Sequence, residues 1–422
     1  MTLAAGFLGG AASRLLPASV PFRYFGSAAA FHVLIWPALF AGADQLTGFR
    51  GGPGPVLAGL HLLTLGVLTT TAMGASAQLL PVATRRALAA VWPVKLVFWL
   101  TMPGMTALFV GMYRLDIAIT IAGGSVTALG LVLFAALLAD NLRRAGSLPV
   151  VAAYGWAALC CLLLLVILGL LLAVDYELGF LADHSAVALA HLVLGGFGFM
   201  GLLALGFSHV LVPMFALASS PPKTPSWAGF VLAVAAVVLG SAGALLDSRF
   251  VLSAAALFGI AAAAVHLWLM QHALATGMRK RLGLSFLLIR GSWAMLLATP
   301  LVGLLGLYGY LGPNGATLFG FLLFGGWLLT FLLGILQRIL PFLASMHAGK
   351  SAGTPPRMSE LAASAPLKLH AACHLLALAF IAAGIVADAA VLTQIGCVVG
   401  LFGALAFAAF TADILRRIFP VR

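Results

Sequence analysis

The chain has 422 residues, 63% of them hydrophobic and only 8% charged, with 22 basic against 10 acidic side chains and a net charge of +12. So few charges cannot cover the core of a water-soluble protein of this size, which excludes soluble enzymes and soluble binding modules. The basic excess does not form the patch of a nucleic-acid binder, because it is scattered over short connections between apolar runs.

Those runs recur from end to end at 20 residues or more, the length needed to cross a bilayer as helix. Hydrocarbon offers no partner for free backbone groups, so spans must be helices or a closed barrel. Continuous apolar runs, rather than alternating ones, select helices. The expected fold is an all-α polytopic membrane protein. Twelve spans are predicted, at 22–43, 55–82, 88–112, 115–139, 148–174, 184–214, 226–246, 250–275, 287–310, 315–342, 366–387 and 390–416. The first 20 residues lack a long apolar core, so no cleavable signal peptide is expected. Cys160, Cys161, Cys373 and Cys397 all fall inside spans and read as small packing residues.

Charge orients the bundle. Arg14 and Arg23, Arg85 and Arg86, Arg143 and Arg144, Lys223, Arg279 to Arg281, Lys350 and Arg357, and Arg416, Arg417 and Arg422 occupy alternate connections. The intervening connections hold Arg50, Arg114 and Arg249 among Asp44, Asp116, Asp175, Glu177, Asp183, Asp247 and Asp388. The bias of basic residues toward the cytoplasm therefore predicts a multi-pass protein of a bacterial inner membrane with both termini cytoplasmic. Some attraction to anionic lipid follows.

The chain also repeats itself. Pro81 closes the second span with glycines 7 and 15 residues before it, Gly74 and Gly66; Pro213 has Gly206 and Gly198 at the same offsets, and Pro341 has Gly334 and Gly326. Spans one, five and nine open with "RYFGSAAAF", "AAYGWAALC" and "LIRGSWAML", and spans four and twelve close with "LLADNLRR" and "FTADILRR". Three pseudo-symmetric four-helix units are expected within one transmembrane domain, at 22–146, 147–283 and 284–417.

Ionisable groups inside the membrane are the default functional candidates. Lys95, Arg290, Arg338, Asp140 and Asp413 lie within about two turns of a helix end and can reach the interface. No carboxylate remains near the midplane, which counts against an ion-coupled transporter. Histidines remain. His61 stands 20 residues before Pro81, about 30 Å along a helix, and His191 stands 22 before Pro213, at nearly the same depth near the outer end. At 100° per residue His184, His191 and His209 share one face of span six with Gly195 and Gly198. A glycine-lined face bearing an imidazole suits a flat ligand such as a porphyrin, and neutral imidazole ligates haem iron and copper. His61, His191 and His184 are the candidate metal ligands, and Gly195 and Gly198 the candidate cofactor-contacting glycines. His209 and His272, at cytoplasmic helix ends, read as carbonyl partners. His370 and His374 share a face in "KLHAACHLLAL", but two ligands do not close a metal site. His32, His266 and His347 carry weaker cases. Phosphate-binding loops and catalytic triads are not discernible.

The layout resembles subunit I of the haem-copper oxidases, and "LHLLTLGVLTTTAMGASAQLLP" and "AHLVLGGFGFMGLLALGFSHVLVP" look like that family's second and sixth helices, particularly of the cbb3 type. The opening "PFRYFGSAAAFHVLIWPALF" is similar to the start of NnrS proteins, haem- and copper-containing membrane proteins tied to nitric oxide stress. The resemblance implies that His61 takes the role of a haem ligand and His191 that of a copper ligand. It departs where the family places two more copper histidines in span seven and haem histidines in span ten: 226–246 has none, and Phe319 and Phe321 stand at the offsets of His191 and His61. A binuclear oxygen-reducing centre is therefore not expected, nor is terminal oxidase activity.

The expected function is haem b binding, with copper as the second metal, in nitric oxide or respiratory stress. Expected partners are the lipid bilayer, nitric oxide or another diatomic, and a second copy of the chain or a respiratory subunit. Two other readings stand beside it: a transporter of a small solute or metal, and a cofactor-free assembly partner on the same scaffold.

Overall fold

Hydropathy alone dictates most of the architecture. A computed structural model of the chain describes residues 15–83, 90–145, 148–352 and 356–419. Within them lie twelve helices long and apolar enough to cross a membrane, and no strand. In chain order these are α1 (Ser19–Ala41), α2 (Pro55–Leu79), α3 (Trp92–Arg114), α4 (Ile117–Arg143), α5 (Pro149–Leu178), α6 (His184–Ala216), α7 (Lys223–Leu245), α8 (Arg249–Thr276), α9 (Leu284–Leu307), α10 (Gly315–Ala348), α11 (Ser364–Ala387) and α12 (Ala390–Ile418). Each matches a predicted span, with ends displaced by a few residues. Arg14, Arg85, Arg86 and Arg422 lie outside the described residues.

Neighbours in sequence pack as neighbours in space. The tightest hairpins are α3 with α4, α7 with α8, and α11 with α12, and α12 returns against α1. Small residues make this closeness workable, as expected where lipid supplies no hydrophobic drive between helices. A Cβ on Gly396 of α12 would come 2.7 Å from Ile381 Cγ1 of α11. The charged ends of α4 and α12 form matching i,i+4 pairs, Asp140 with Arg144 at 2.6 Å and Asp413 with Arg417 at 3.0 Å, all half-exposed. The repeated "AD…RR" endings thus neutralise carboxylates at helix termini. The four cysteines are free thiols.

Three helices do not stay α-helical. Residues Leu62–Thr69 of α2, Leu194–Gly201 of α6 and Leu322–Leu329 of α10 wind as wide π-helical turns. Threonine hydroxyls record the change of register. Thr101 donates to the carbonyl four residues back, whereas Thr69, Thr70 and Thr330 donate to carbonyls five back, at Thr64, Leu65 and Gly325. Each wide segment begins 19 residues before Pro81, Pro213 or Pro341. The prolines themselves do not end the helical winding, which continues to Ala83 beyond the α2 span, to Ala216 at the end of α6 and to Ala352 beyond the α10 span. Loss of one amide near a helix end removes a single internal bond, and the neighbouring turns hold the helix together.

A wide turn advances less than 100° per residue, so faces assigned at the α-helical angle drift by roughly a residue or two across it. The wide segment of α10 packs on those of both α2 and α6. Between α2 and α6 the space stays open.

Candidate functional site: two histidines on one cavity

That opening is a cavity of about 800 Å³, lined by α2 and α6 with contributions from α4, α5 and α10. Its volume falls in the range of small-molecule and cofactor sites, and its walls are mainly aliphatic and aromatic, as such sites are. His61 and His191 both line it. Their ring centres are 6.5 Å apart and their planes are inclined by 28°.

Each imidazole is held from behind. His61 Nδ1 lies 3.0 Å from the Leu57 carbonyl one turn back. A carbonyl only accepts, so Nδ1 carries the proton and Nε2 carries the lone pair. The ring of His191 lies against Gly169 of α5, where a Cβ would stand 3.0 Å from Cε1. Any larger residue there would push the imidazole away. Gly169 is a site residue that the sequence hides, as one glycine in the apolar run "LVILGLLLAV".

The other sequence candidates separate. Gly195 borders the cavity. Gly198 does not serve the cofactor face: its missing side chain makes room for Cys161, whose Sγ would lie 2.8 Å from a Cβ there. His209 also leaves the face of His191 and packs against Tyr154 and His266, at 5.6 and 6.0 Å between ring centres. Both corrections have one cause. Gly198 lies inside the wide turn and His209 beyond it, so the 100° wheel misplaces them. His209 Nδ1 meets the Leu205 carbonyl at 2.9 Å, the carbonyl contact expected of it.

His184 lines the mouth rather than the centre of the cavity, two turns before His191. Its Nδ1 is 2.7 Å from Asp175 Oδ2, and its ring lies 4.7 Å from that of Tyr176. The Asp175 carboxylate also accepts the Leu181 amide at 2.7 Å, so this pair ties the α5–α6 connection together. With Nδ1 on a carboxylate and a third of its side chain exposed, His184 fastens the mouth, and as a candidate ligand it would have Nε2 to offer. Beside it Asp183 caps α6, accepting the Ser185 hydroxyl at 2.7 Å and the Ala186 amide at 3.0 Å. The Ser185 hydroxyl foremost, and then that amide, hold its carboxyl below the usual carboxylate value. Arg50 also lines the cavity and donates to the Pro313 carbonyl.

Further in, the Thr69 hydroxyl of α2 meets Met200 Sδ of α6 at 4.0 Å and joins the two helices. Phe319 and Phe321 of α10 line the cavity where the oxidase pattern places histidines. Phe319 also packs on Phe197, 6.1 Å between ring centres. Among the described residues no group of three His, Cys, Asp or Glu side chains is placed to hold a metal ion. The arrangement therefore offers two facing imidazoles in an apolar chamber, with an aromatic wall completing it.

No protein-family model matches the chain, and no curated protein matches its sequence. Solved structures do match. Similar to it is a haem-copper terminal oxidase whose cryo-EM structure is a dimer, at 12% sequence identity and a TM-score of 0.61, over 96% of this chain and 85% of that one. At that identity the likeness speaks for architecture: this is a polytopic helical membrane protein with the fold of a haem-copper terminal oxidase chain.

Proposed function

We propose that the protein binds haem b in the cavity between α2 and α6, with His61 and His191 as its ligands. The carrying observation is the 6.5 Å between the two ring centres inside one large apolar chamber. Two imidazoles sharing one metal, at the about 2.0–2.1 Å usual for metal–imidazole bonds, set their ring centres about 6–6.5 Å apart. The anchored Nδ1 of His61 adds the support that metal-ligating histidines generally have. Gly195 and Gly169 keep the space beside the imidazoles free of side chains. When bound, haem would supply a redox-active iron, suited to electron transfer or sensing with both imidazoles ligated and to a diatomic such as nitric oxide with one released.

The chain's own part is to fix His61 in its tautomer, to seat His191 on Gly169, and to exclude water with Phe319 and Phe321. A separate copper at His191 has less support, because the haem takes both imidazoles, His61 and His191, and no group of three ligands is placed there among the described residues. The same donor set favours sensing or handling of nitric oxide under respiratory stress, as in NnrS proteins, over oxygen reduction. The alternation of basic and acidic connections supports an inner-membrane protein with cytoplasmic termini and an outward-facing mouth. The three wide turns, in one register against three prolines, support the three four-helix repeats.

Full-length protein purified from haem-replete cells tests this reading. A Soret band with one iron per chain, abolished by His61→Ala, is the expected result. A colourless, iron-free preparation would overturn it and leave the solute-carrier and assembly-partner readings, which solute uptake into vesicles separates.

A further inference from the structure

A second group of histidines lies apart from His61 and His191. His32 of α1 and His370 and His374 of α11 are each at most 1% exposed. Ring centres are 6.0 Å apart for His32 and His370, and 5.7 Å for His370 and His374. Phe407 of α12 closes one side, 5.0 Å from His370 and 6.0 Å from His32.

Hydrogen-bond accounting fixes what these rings present. His370 Nδ1 lies 3.1 Å from the Gly403 carbonyl and must donate to it, which leaves a lone pair on Nε2. The Thr330 hydroxyl spends its proton on the Gly325 carbonyl, so His374 Nε2, 2.8 Å from that hydroxyl, is the donor and its Nδ1 keeps a lone pair. Both lone-pair nitrogens, and both ring nitrogens of His32, are buried with no hydrogen-bond partner. Three imidazoles thus bring three lone pairs and a single free N–H into the interior of the bundle. Two have their second nitrogen anchored by the protein, the arrangement general to metal-binding histidines.

We propose that this cluster is a site for a single cuprous ion, held by His32 and His370 with His374 one turn away. The number of ligands follows from position: His32 and His370, 6.0 Å apart between ring centres, stand at about the separation of two imidazoles sharing one metal, and among the described residues no group of three is placed to hold an ion. The charge of the ion follows from the surroundings. Helices α1, α10 and α11 carry no carboxylate, and Asp413, the one on α12, is paired with Arg417 at the helix end. Neutral nitrogens can offset one buried positive charge far better than two, and imidazole is a copper ligand. Trp36 lines the cavity and stands 6.1 Å from His32, so the cluster sits directly behind the cavity wall.

The site is separable from the haem reading because it shares no residue with it. Full-length protein in nanodiscs is titrated anaerobically with cuprous ion against a cuprous chelator. One ion per chain is expected, with two nitrogen ligands by X-ray absorption. His61→Ala retains it. His32→Leu and His370→Leu lose affinity by more than the about 10–100-fold that removal of a mere supporting contact gives, with any Soret band unchanged. Should the leucine variants not fold, His370→Gln and His32→Gln replace them, and the same loss is expected. Failure of the wild type to retain copper, or copper lost in His61→Ala but kept in the His370 variants, would overturn the site.

Discussion

The two histidine groups use the same side chain in opposite settings. Around His61 and His191, α2 and α6 stand apart, and the imidazoles border about 800 Å³ of space. Around His32, His370 and His374, α1, α11 and α12 are in contact, and the rings are sealed among Trp36, Phe407 and Thr330. Ring spacings are nearly equal in the two groups, 6.5 Å against 5.7 and 6.0 Å. Spacing therefore sets what each group can ligate, and the room around it sets what can come with the metal. The open cavity beside the first would admit the proposed macrocycle, which the sealed second group would not.

The largest expected effect tests that contrast directly. His191→Ala should convert a bis-imidazole haem into one with an open position, seen as a shifted Soret band and newly acquired carbon monoxide binding. A spectrum identical to wild type would mean that His191 is not a ligand. Next come the two glycines of α6. Gly198→Val should lower stability by about 1–3 kcal/mol through overpacking against Cys161, with the spectrum unchanged. Gly195→Val should do the reverse, reducing haem content with a smaller loss of melting temperature, because its neighbour is the movable end of Leu165. Equal behaviour of the pair would erase the distinction drawn between them.

Within the sealed group, Thr330→Val leaves the His374 N–H without an acceptor, at about 1–3 kcal/mol. Denaturation of the haem-loaded protein should show that loss with no change in the visible spectrum. The smallest effect is at the mouth. Asp183 has its carboxyl held below the ordinary value by Ser185 and the α6 amide, so its contribution is full above the unfolded carboxylate pKa of about 3.9 and fades as pH falls through the lower folded value. Melting curves should accordingly be flat from neutral pH to about pH 5 as far as this cap is concerned. Asp183→Ala should flatten the part of the acid decline that Asp183 contributes, and an unaltered acid limb would show that the cap is silent.

Much of this was legible in the chain. Twelve spans followed from the length of the apolar runs, and His61 and His191 followed from their matched distances to Pro81 and Pro213. What stayed hidden depended on helix phase. Nothing in "LGGFGFMG" announces that the backbone there bonds five residues back, yet this removes Gly198 and His209 from the face of His191. Partners across connections were hidden too. Asp175 reads as one more acidic loop residue until the α5–α6 turn brings it to His184. Gly169 and the protonation pattern around His370 require coordinates, since both depend on which helix lies opposite.

The wide segments also bear on how such a chain can vary over time. Each holds its helix at a different rotation above and below it, so a one-residue deletion within 62–69, 194–201 or 322–329 would return that stretch toward ordinary winding. The residue removed and the winding regained largely offset each other, so what lies beyond the deletion would keep nearly the same face toward its neighbours. Relatives of this protein should therefore be able to lose a residue within these three stretches of eight, whereas a loss in the α-helical parts of the same helices would turn everything beyond it by about 100°.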